Sequence, residues 1–222
     1  MNSRVSILFY ELFRGKLIFG FNMSKRPKIL AIAGSLRKGS YNRKVLNVAI
    51  EGARRADADV TLLDLREYPL PLYNADLVEE SGFPGNATKL QQILLEHDGL
   101  LIASPEYNAS LPGGLKNFID WTSRANGQLK VGDCYRGKWA GIMTASPGSF
   151  GGIRCLAHLR DVLSILLVHV LPFEIAVAKV DTLFEGNEIK DLNIKQMLES
   201  LGEMLANTIR KHLHEGTEAK SV

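Results

Sequence analysis

The feature that most constrains the fold is a regular alternation of short apolar runs with amphipathic segments. Five apolar runs alternate with five segments whose apolar residues recur at helical spacing. The runs are KILAIAG (28–34), DVTLLDL (59–65), GLLIAS (99–104), KWAGIMTAS (138–146) and HVLPFEIAVAK (169–179). Such an alternation predicts a parallel β-sheet with helices on both faces.

The amphipathic segments supply the helices of this arrangement. They are NRKVLNVAIEGARRA (42–56), ATKLQQILLEH (87–97), GGLKNFIDWTSR (113–124), GIRCLAHLRDVLSILLV (152–168) and a last helix ending near His214. A Pro-containing stretch (66–86) shows no clear period, and FEGNEIKD (184–191) is interpreted as a polar turn. Because crossovers in parallel sheets are right-handed, five strands favour the flavodoxin-like order 2-1-3-4-5 over the six-stranded dinucleotide-binding order. The fold class is therefore α/β, a three-layer sandwich around a five-stranded parallel sheet.

The length of 222 residues fits one domain, which we place at residues 23–215. Residues 1–22 are apolar but interrupted by charges, so the uncharged runs are too short for a membrane span. We interpret them as an upstream extension outside the fold, with an interfacial amphipathic segment as the alternative. Residues 216–222 are expected to fray.

Composition excludes several function classes. A net charge of +3 gives no basic face of the kind that nucleic-acid binding requires. The two cysteines, Cys134 and Cys155, are far apart and belong to no CxxC pattern, so we expect reduced thiols in a cytoplasmic protein. The five histidines show no metal-ligand spacing, and no metal site is expected.

Ligands of such sheets bind beyond the carboxyl ends of the strands, where the strand order reverses. Three segments follow strands one, three and four at this edge. Each is rich in Gly, Ser or Asn and precedes a helix. They are loop 1, GSLRKGSYN (34–42), loop 2, SPEYNASLPGG (104–114), and loop 3, SPGSFGG (146–152). We predict that the site lies where these three loops meet.

Loop 1 matches neither GxGxxG nor GxxxxGK[ST]. It offers Ser35, Arg37, Ser40 and Asn42 ahead of a helix start, where unpaired N–H groups favour an anion. A single phosphomonoester, as in a mononucleotide, suits it better than a diphosphate. The alternative is that Ser40 or Asn42 only caps the helix.

Loop 2 leaves its strand without starting a helix, because Pro105 keeps the preceding residue extended. Pro112 suits a helix start, and the two glycines that follow it permit close approach of a ligand. We expect the backbone N–H groups of residues 106–108 to face the polar edge of a planar ligand. Alternatively, Glu106 is solvated, Tyr107 packs on the surface and the glycines serve only the turn.

These strings together resemble the NAD(P)H-dependent FMN reductases, which include bacterial quinone, chromate and azo-dye reductases of flavodoxin-like fold. The resemblance runs from Lys28 to the last helix, and the PEYN-S-PGGLKN-IDW pattern is its most specific part. It implies FMN as the cofactor, NADPH or NADH as co-substrate, and a homodimer or homotetramer.

The resemblance also assigns the residues of the site. It implies that the FMN phosphate contacts Ser35, Arg37, Ser40 and Asn42, with Tyr41 beside it. It implies that the flavin ring is lined by Pro105, Glu106, Tyr107, Asn108 and Ser110, and on its other side by Ser146, Pro147 and Gly148. No catalytic residue is assigned, because the flavin carries the chemistry.

The function that follows from the resemblance is hydride transfer from NAD(P)H to FMN and then to an acceptor. Quinones, azo dyes, chromate and free flavin all suit an open flavin face. The alternatives are a flavodoxin-like electron carrier and an FMN-binding regulatory module, neither with NAD(P)H turnover of its own. Carriers of this kind are typically acidic, whereas this chain has a net charge of +3.

Overall fold

A computed structural model describes residues 25–218 of the chain, with side chains through residue 214. The interpretation of residues 1–22, and the last four residues of the predicted tail, lie outside the described residues. Within them, one sheet of six parallel strands is covered by helices on both faces.

The strand order is the predicted one. The path runs β2-β1-β3-β4-β5, with a sixth strand also paired to β4. The strands are β1 (Lys28–Ala33), β2 (Asp59–Leu63), β3 (Gly99–Ala103), β4 (Trp139–Ala145), β5 (His169–Val170) and β6 (Ile175–Val177). The helices are α1 (Tyr41–Arg55), α2 (Ala75–Ser81), α3 (Gly85–Leu95), α4 (Gly113–Thr122), α5 (Ile153–Ile165) and α6 (Leu192–Glu218). The α/β fold class is confirmed.

Alternate residues of the central strands enter different cores, as expected for strands buried on both faces. In β1, Ile29 and Ala31 pack in the core that includes residues of α1 and α6. Leu30 and Ile32 pack on the opposite face with residues of α3, α4 and α5. This two-sided burial explains why the runs are continuously apolar rather than alternating.

Helices α1 and α6 approach closely because each has a glycine where they touch. A Cβ atom built on Gly52 of α1 would lie 1.9 Å from the carbonyl oxygen of Glu199. One built on Gly202 of α6 would lie 1.9 Å from the carbonyl oxygen of Ala49. Since these contacts are with backbone rather than flexible side chains, a larger residue at either position would have to separate the helices.

Three segments differ from the sequence prediction. The fifth predicted strand is two short strands, β5 and β6, because Pro172 between them has no N–H for the sheet ladder. The predicted polar turn is a small antiparallel hairpin of β7 (Phe184–Glu185) and β8 (Glu188–Ile189). The stretch without period includes helix α2 and a 3₁₀ turn at Leu65–Glu67.

The last helix continues to Glu218, beyond its predicted end near His214, so residues 216–218 of the predicted frayed tail are helical. Although α6 has 27 residues, no helix in residues 25–218 is both long and apolar enough to cross a membrane.

Replacing Gly52 by Ala should destabilise the protein by about 1–3 kcal/mol or more, because the new methyl group overlaps the α6 backbone. Urea unfolding followed by circular dichroism measures this loss. Gly85→Ala is the matched control, since a Cβ there meets no atom within 4 Å and Ala favours the helix. Equal unfolding midpoints for the two variants would contradict the close approach of α1 and α6.

Candidate functional site

The three loops come together because β1, β3 and β4 are neighbours in the sheet and all run in the same direction. Loop 1 follows β1, loop 2 follows β3 and loop 3 follows β4. Their convergence at one edge was predicted from the sequence. The contacts that join them were not.

The side chain of Asn42 joins loop 1 to the end of β4. Its Nδ2 donates to the carbonyl oxygen of Ala145 at 2.9 Å, and its Oδ1 accepts from the Ala145 N–H at 2.9 Å. The side chain is buried at the first turn of α1. The phosphate contact expected of Asn42 stays a prediction, whereas the contact observed is structural.

Loops 1 and 2 are joined through main-chain atoms. The N–H of Gly34 donates to the carbonyl oxygen of Ala103 at 2.8 Å, which extends the β1–β3 pairing into the loops. The N–H of Ser104 donates in turn to Met143 of β4 at 2.9 Å. The loops therefore leave the sheet from a hydrogen-bonded edge.

Loop 2 is joined to helix α5 by the carboxylate of Glu106. Its Oε1 accepts from Arg154 Nε at 2.9 Å and Nη2 at 2.6 Å, and its Oε2 accepts from the Cys155 N–H at 3.2 Å. The Glu106 side chain is only 10% exposed, so the alternative that it is solvated is wrong. The hydrogen bonds from Arg154 lower the pKa of Glu106, and the helix start further favours the anion.

Loop 1 has the groups that a phosphate needs. Ser40 is the N-cap of α1, and its hydroxyl oxygen accepts from the Arg43 N–H at 3.4 Å. Capping leaves the hydroxyl proton free to donate to an anion. Ser35 accepts from the Arg37 N–H at 3.3 Å, and the Arg37 side chain is exposed. Tyr41, at the first position of α1, has the Lys44 ammonium 5.7 Å from its ring centroid.

Loop 2 contains a tight turn that the sequence did not predict. Tyr107 and Ser110 exchange two main-chain hydrogen bonds of 3.0 and 3.1 Å. Asn108 and Ala109 between them have φ angles of 50° and 63°, which is typical of a primed hairpin turn. The expectation that the Tyr107 N–H faces a ligand is therefore wrong. In the described chain, the N–H groups of Glu106 and Asn108 make no hydrogen bond.

Loop 3 folds back on the ends of β4 and β6. The Ser146 N–H donates to Val177 at 3.0 Å, and the Ser146 hydroxyl accepts from the Gly148 N–H at 3.1 Å. Pro147 and Gly148 are exposed, as the rim of a binding site requires. Beneath the loop, the Thr144 hydroxyl is buried without a hydrogen-bond partner in the described chain.

Two residues of α4 with no role predicted from the sequence position the Pro-containing stretch. Asn117 Nδ2 donates to the Pro71 carbonyl at 2.9 Å, and Trp121 Nε1 donates to the same oxygen at 2.8 Å. The Asn117 Oδ1 also accepts from the Tyr73 N–H at 2.8 Å. The spacing of Asn117 and Trp121 by four residues, on one helix face, was the signal that could have identified them.

Two of the cavities near these elements differ in their relation to the loops. One of about 370 Å³ adjoins loop 1 and the start of α4, with Leu36, Gly114 and Phe118 in its wall. A larger one of about 760 Å³ lies between α1, β8 and α6. Its arginines are paired, Arg54 with Glu51 at 3.1 Å and Arg55 with Glu199 at 2.8 Å. The smaller of these two cavities is therefore the one that borders loops 1 and 2, whereas no residue of loop 3 is in its described wall.

Replacing Glu106 by Gln should lower the free energy of unfolding by about 1–2 kcal/mol at pH 7, because it removes the charge that pairs with Arg154. The loss is no larger because Arg154 is 58% exposed and solvent screens part of the ion pair. The folded-state pKa of Glu106 is lowered, so its contribution is full above the unfolded pKa of about 4.3 and is lost as pH falls through the folded value. Denaturant unfolding at several pH values should show the two proteins converging in acid. The exposed Glu80→Gln control should follow wild type throughout. A difference in unfolding free energy between wild type and Glu106→Gln that stays constant down to pH 3 would contradict the ion pair.

Replacing Asn42 by Ala should lower the free energy of unfolding by about 2–4 kcal/mol, since it leaves the buried N–H and C=O of Ala145 unpaired. Amide hydrogen exchange at Ala145 should also become faster. Asn47→Ala, at an exposed position on the same helix, should change stability by less than about 0.5 kcal/mol. Unchanged exchange at Ala145 in the Asn42 variant would remove this side chain from its structural role.

Comparison with known proteins agrees with the geometry. An NAD(P)H-dependent FMN reductase of Pseudomonas aeruginosa is 44% identical over 149 residues, 67% of this chain and 76% of that protein. A quinone reductase of Escherichia coli K12 is 40% identical over 144 residues, 65% of this chain and 73% of that protein.

A solved structure shows the same architecture. FerB, a flavoenzyme NAD(P)H:acceptor oxidoreductase of Paracoccus denitrificans, aligns with a TM-score of 0.69 at 28% identity, over 84% of this chain and 98% of that chain. The family described as NADPH-dependent FMN reductase matches residues 27–182, which include all three loops. The chain belongs to the NADPH-dependent FMN reductase family.

Proposed function

We propose that this protein is an FMN-dependent oxidoreductase that uses NAD(P)H to reduce quinones. The observation that supports it most is the arrangement of loops 1, 2 and 3, cross-linked by hydrogen bonds at one edge of the sheet and contained in the family match. Bound FMN would supply hydride transfer, accepting from NAD(P)H and delivering to the acceptor.

Loop 1 is proposed to hold the phosphate of FMN. The hydroxyls of Ser35 and Ser40 donate, the exposed Arg37 supplies countercharge, and the start of α1 adds unpaired N–H groups. Asn42 keeps that helix start in place through its bonds to Ala145. The phosphate site would thus combine two hydroxyls and a cation with the backbone of a fixed helix start.

Loops 2 and 3 are proposed to enclose the flavin ring. The N–H groups of Glu106 and Asn108 can donate to the polar edge on which negative charge develops during reduction. Tyr107 is 48% exposed and is not part of the hydrophobic core, so its ring is available to flank the flavin. Ser146, Pro147 and Gly148 lie on the opposite rim.

The net reaction is NAD(P)H + H⁺ + quinone → NAD(P)⁺ + hydroquinone. Two electrons and one proton move as hydride. The second proton is taken from solvent, since no side chain is assigned as general acid. Relatives named as quinone reductases occur in Escherichia coli and potato, which supports quinones as acceptors. Azo dyes, chromate and free flavin are further proposed acceptors.

The protein is proposed to act as a homodimer or homotetramer in the cytoplasm. Ile153, Ile165 and Leu167, at the two ends of α5, are 52%, 81% and 50% exposed, which suits contact with a second copy. Both cysteines are free thiols, as expected in a reducing compartment.

The test is an absorbance spectrum of the purified protein with FMN, followed by anaerobic addition of NADPH or NADH and then a quinone. We expect a yellow protein that is bleached by the pyridine nucleotide and recoloured by the quinone. A yellow protein that neither nucleotide bleaches would instead favour an electron carrier or regulatory module. Failure to bind FMN at all would overturn the proposal.

A further inference from the structure

Two aromatic side chains stand out into solvent in the described part of the chain, and both lie on the loops of the proposed site. Tyr107 of loop 2 is 48% exposed and Phe150 of loop 3 is 70% exposed. Other aromatic side chains in residues 25–214 are buried or half-buried. Tyr107 already has a proposed place beside the flavin, but Phe150 has none.

The backbone holds Phe150 outward. The next two residues, Gly151 and Gly152, have φ angles of 61° and 89°. A Cβ on Gly151 would lie 2.8 Å from the Ala178 nitrogen, and one on Gly152 would lie 2.4 Å from Thr144 Oγ1. Because Gly151 and Gly152 contact the ends of β6 and β4 closely, no space remains beneath the loop for a phenyl ring.

The ring is also positioned by charge. The Arg154 guanidinium carbon lies 5.6 Å from the Phe150 ring centroid, within the range of a cation–π contact. Arg154 is itself held by the two hydrogen bonds to Glu106 of loop 2. Phe150 is therefore coupled to the loop proposed to line the flavin ring.

We propose that Phe150 stacks against the acceptor and makes the enzyme prefer flat aromatic quinones to acceptors without a planar ring. This inference rests on the proposed function, because it places the acceptor between loops 2 and 3, beside the proposed flavin ring. A quinone offers a planar π face, which a phenyl ring contacts favourably. Arg154 Nη1 makes no hydrogen bond in the described chain, so it can donate to a quinone oxygen beside the ring.

The experiment compares 1,4-naphthoquinone with ferricyanide, which is octahedral, has no aromatic face and takes one electron per ion. Phe150→Ala, with FMN bound and the pyridine nucleotide that reduces the wild-type protein as donor, should lose about tenfold in kcat/KM for naphthoquinone, as expected for a lost aromatic contact and its buried area. Its kcat/KM for ferricyanide should stay within about twofold of wild type, since the loss is confined to stacking. Phe150→Tyr should keep the naphthoquinone rate.

Leu192→Ala is the matched control, because it truncates an apolar side chain that is 74% exposed at the start of α6, outside the three loops. It should leave both acceptors unchanged. An equal loss for naphthoquinone and ferricyanide in Phe150→Ala, or no loss for either, would overturn the role of Phe150 while leaving the proposed function intact. A smaller assembly of Phe150→Ala in light scattering would also overturn it, by placing the ring against a second copy. Wild-type protein that oxidises neither NADPH nor NADH with either acceptor would remove the proposed function itself.

Discussion

The site depends on one buried amide. Asn42 satisfies both the N–H and the C=O of Ala145, at the last residue of β4, where the sheet ladder ends and loop 3 begins. Because Asn42 is also in the first turn of α1, the same side chain fixes the helix start and the strand end relative to each other. A buried strand end without such a partner would carry two unpaired polar groups, each costing about 1–3 kcal/mol. The backbone that would receive a ligand is thus ordered before the ligand binds, which lowers the entropy cost of binding.

The position of Asn42 is set in turn by packing far from the loops. Helix α1 lies against α6 through Gly52 and Gly202, and neither position has room for a methyl group. The two glycines let α1 and α6 pack side by side on one face of the sheet, with Val45, Leu46 and Ala49 of α1 buried in the core that they share. Core geometry and site geometry are therefore linked, since the helix that packs against α6 is the one that carries Asn42 at its start.

The sequence predicted the architecture well because strand–helix alternation and buried apolar runs are local patterns. The strand order, the three loops and their common edge all followed from such patterns and were confirmed. The partners of polar side chains did not follow, because Glu106 and Arg154 are 48 residues apart and nothing local pairs them. The turn at Asn108 and Ala109 was missed for a different reason: φ is positive at an alanine, where sequence patterns favour glycine. Likewise, β5 and β6 were merged because their apolar run is continuous across Pro172.

The ion pair between Glu106 and Arg154 also limits what loop 2 can do chemically. A carboxylate beside the edge of a reduced flavin would oppose the negative charge that develops there. Pairing with Arg154 and with the start of α5 offsets that charge, so the N–H groups of the loop can act as net donors. Since the same contacts lower the pKa of Glu106, its carboxyl is ionised at neutral pH and has no proton to give. In the proposed function, Glu106 would therefore position the loop, and the proton that completes a hydroquinone would come from solvent.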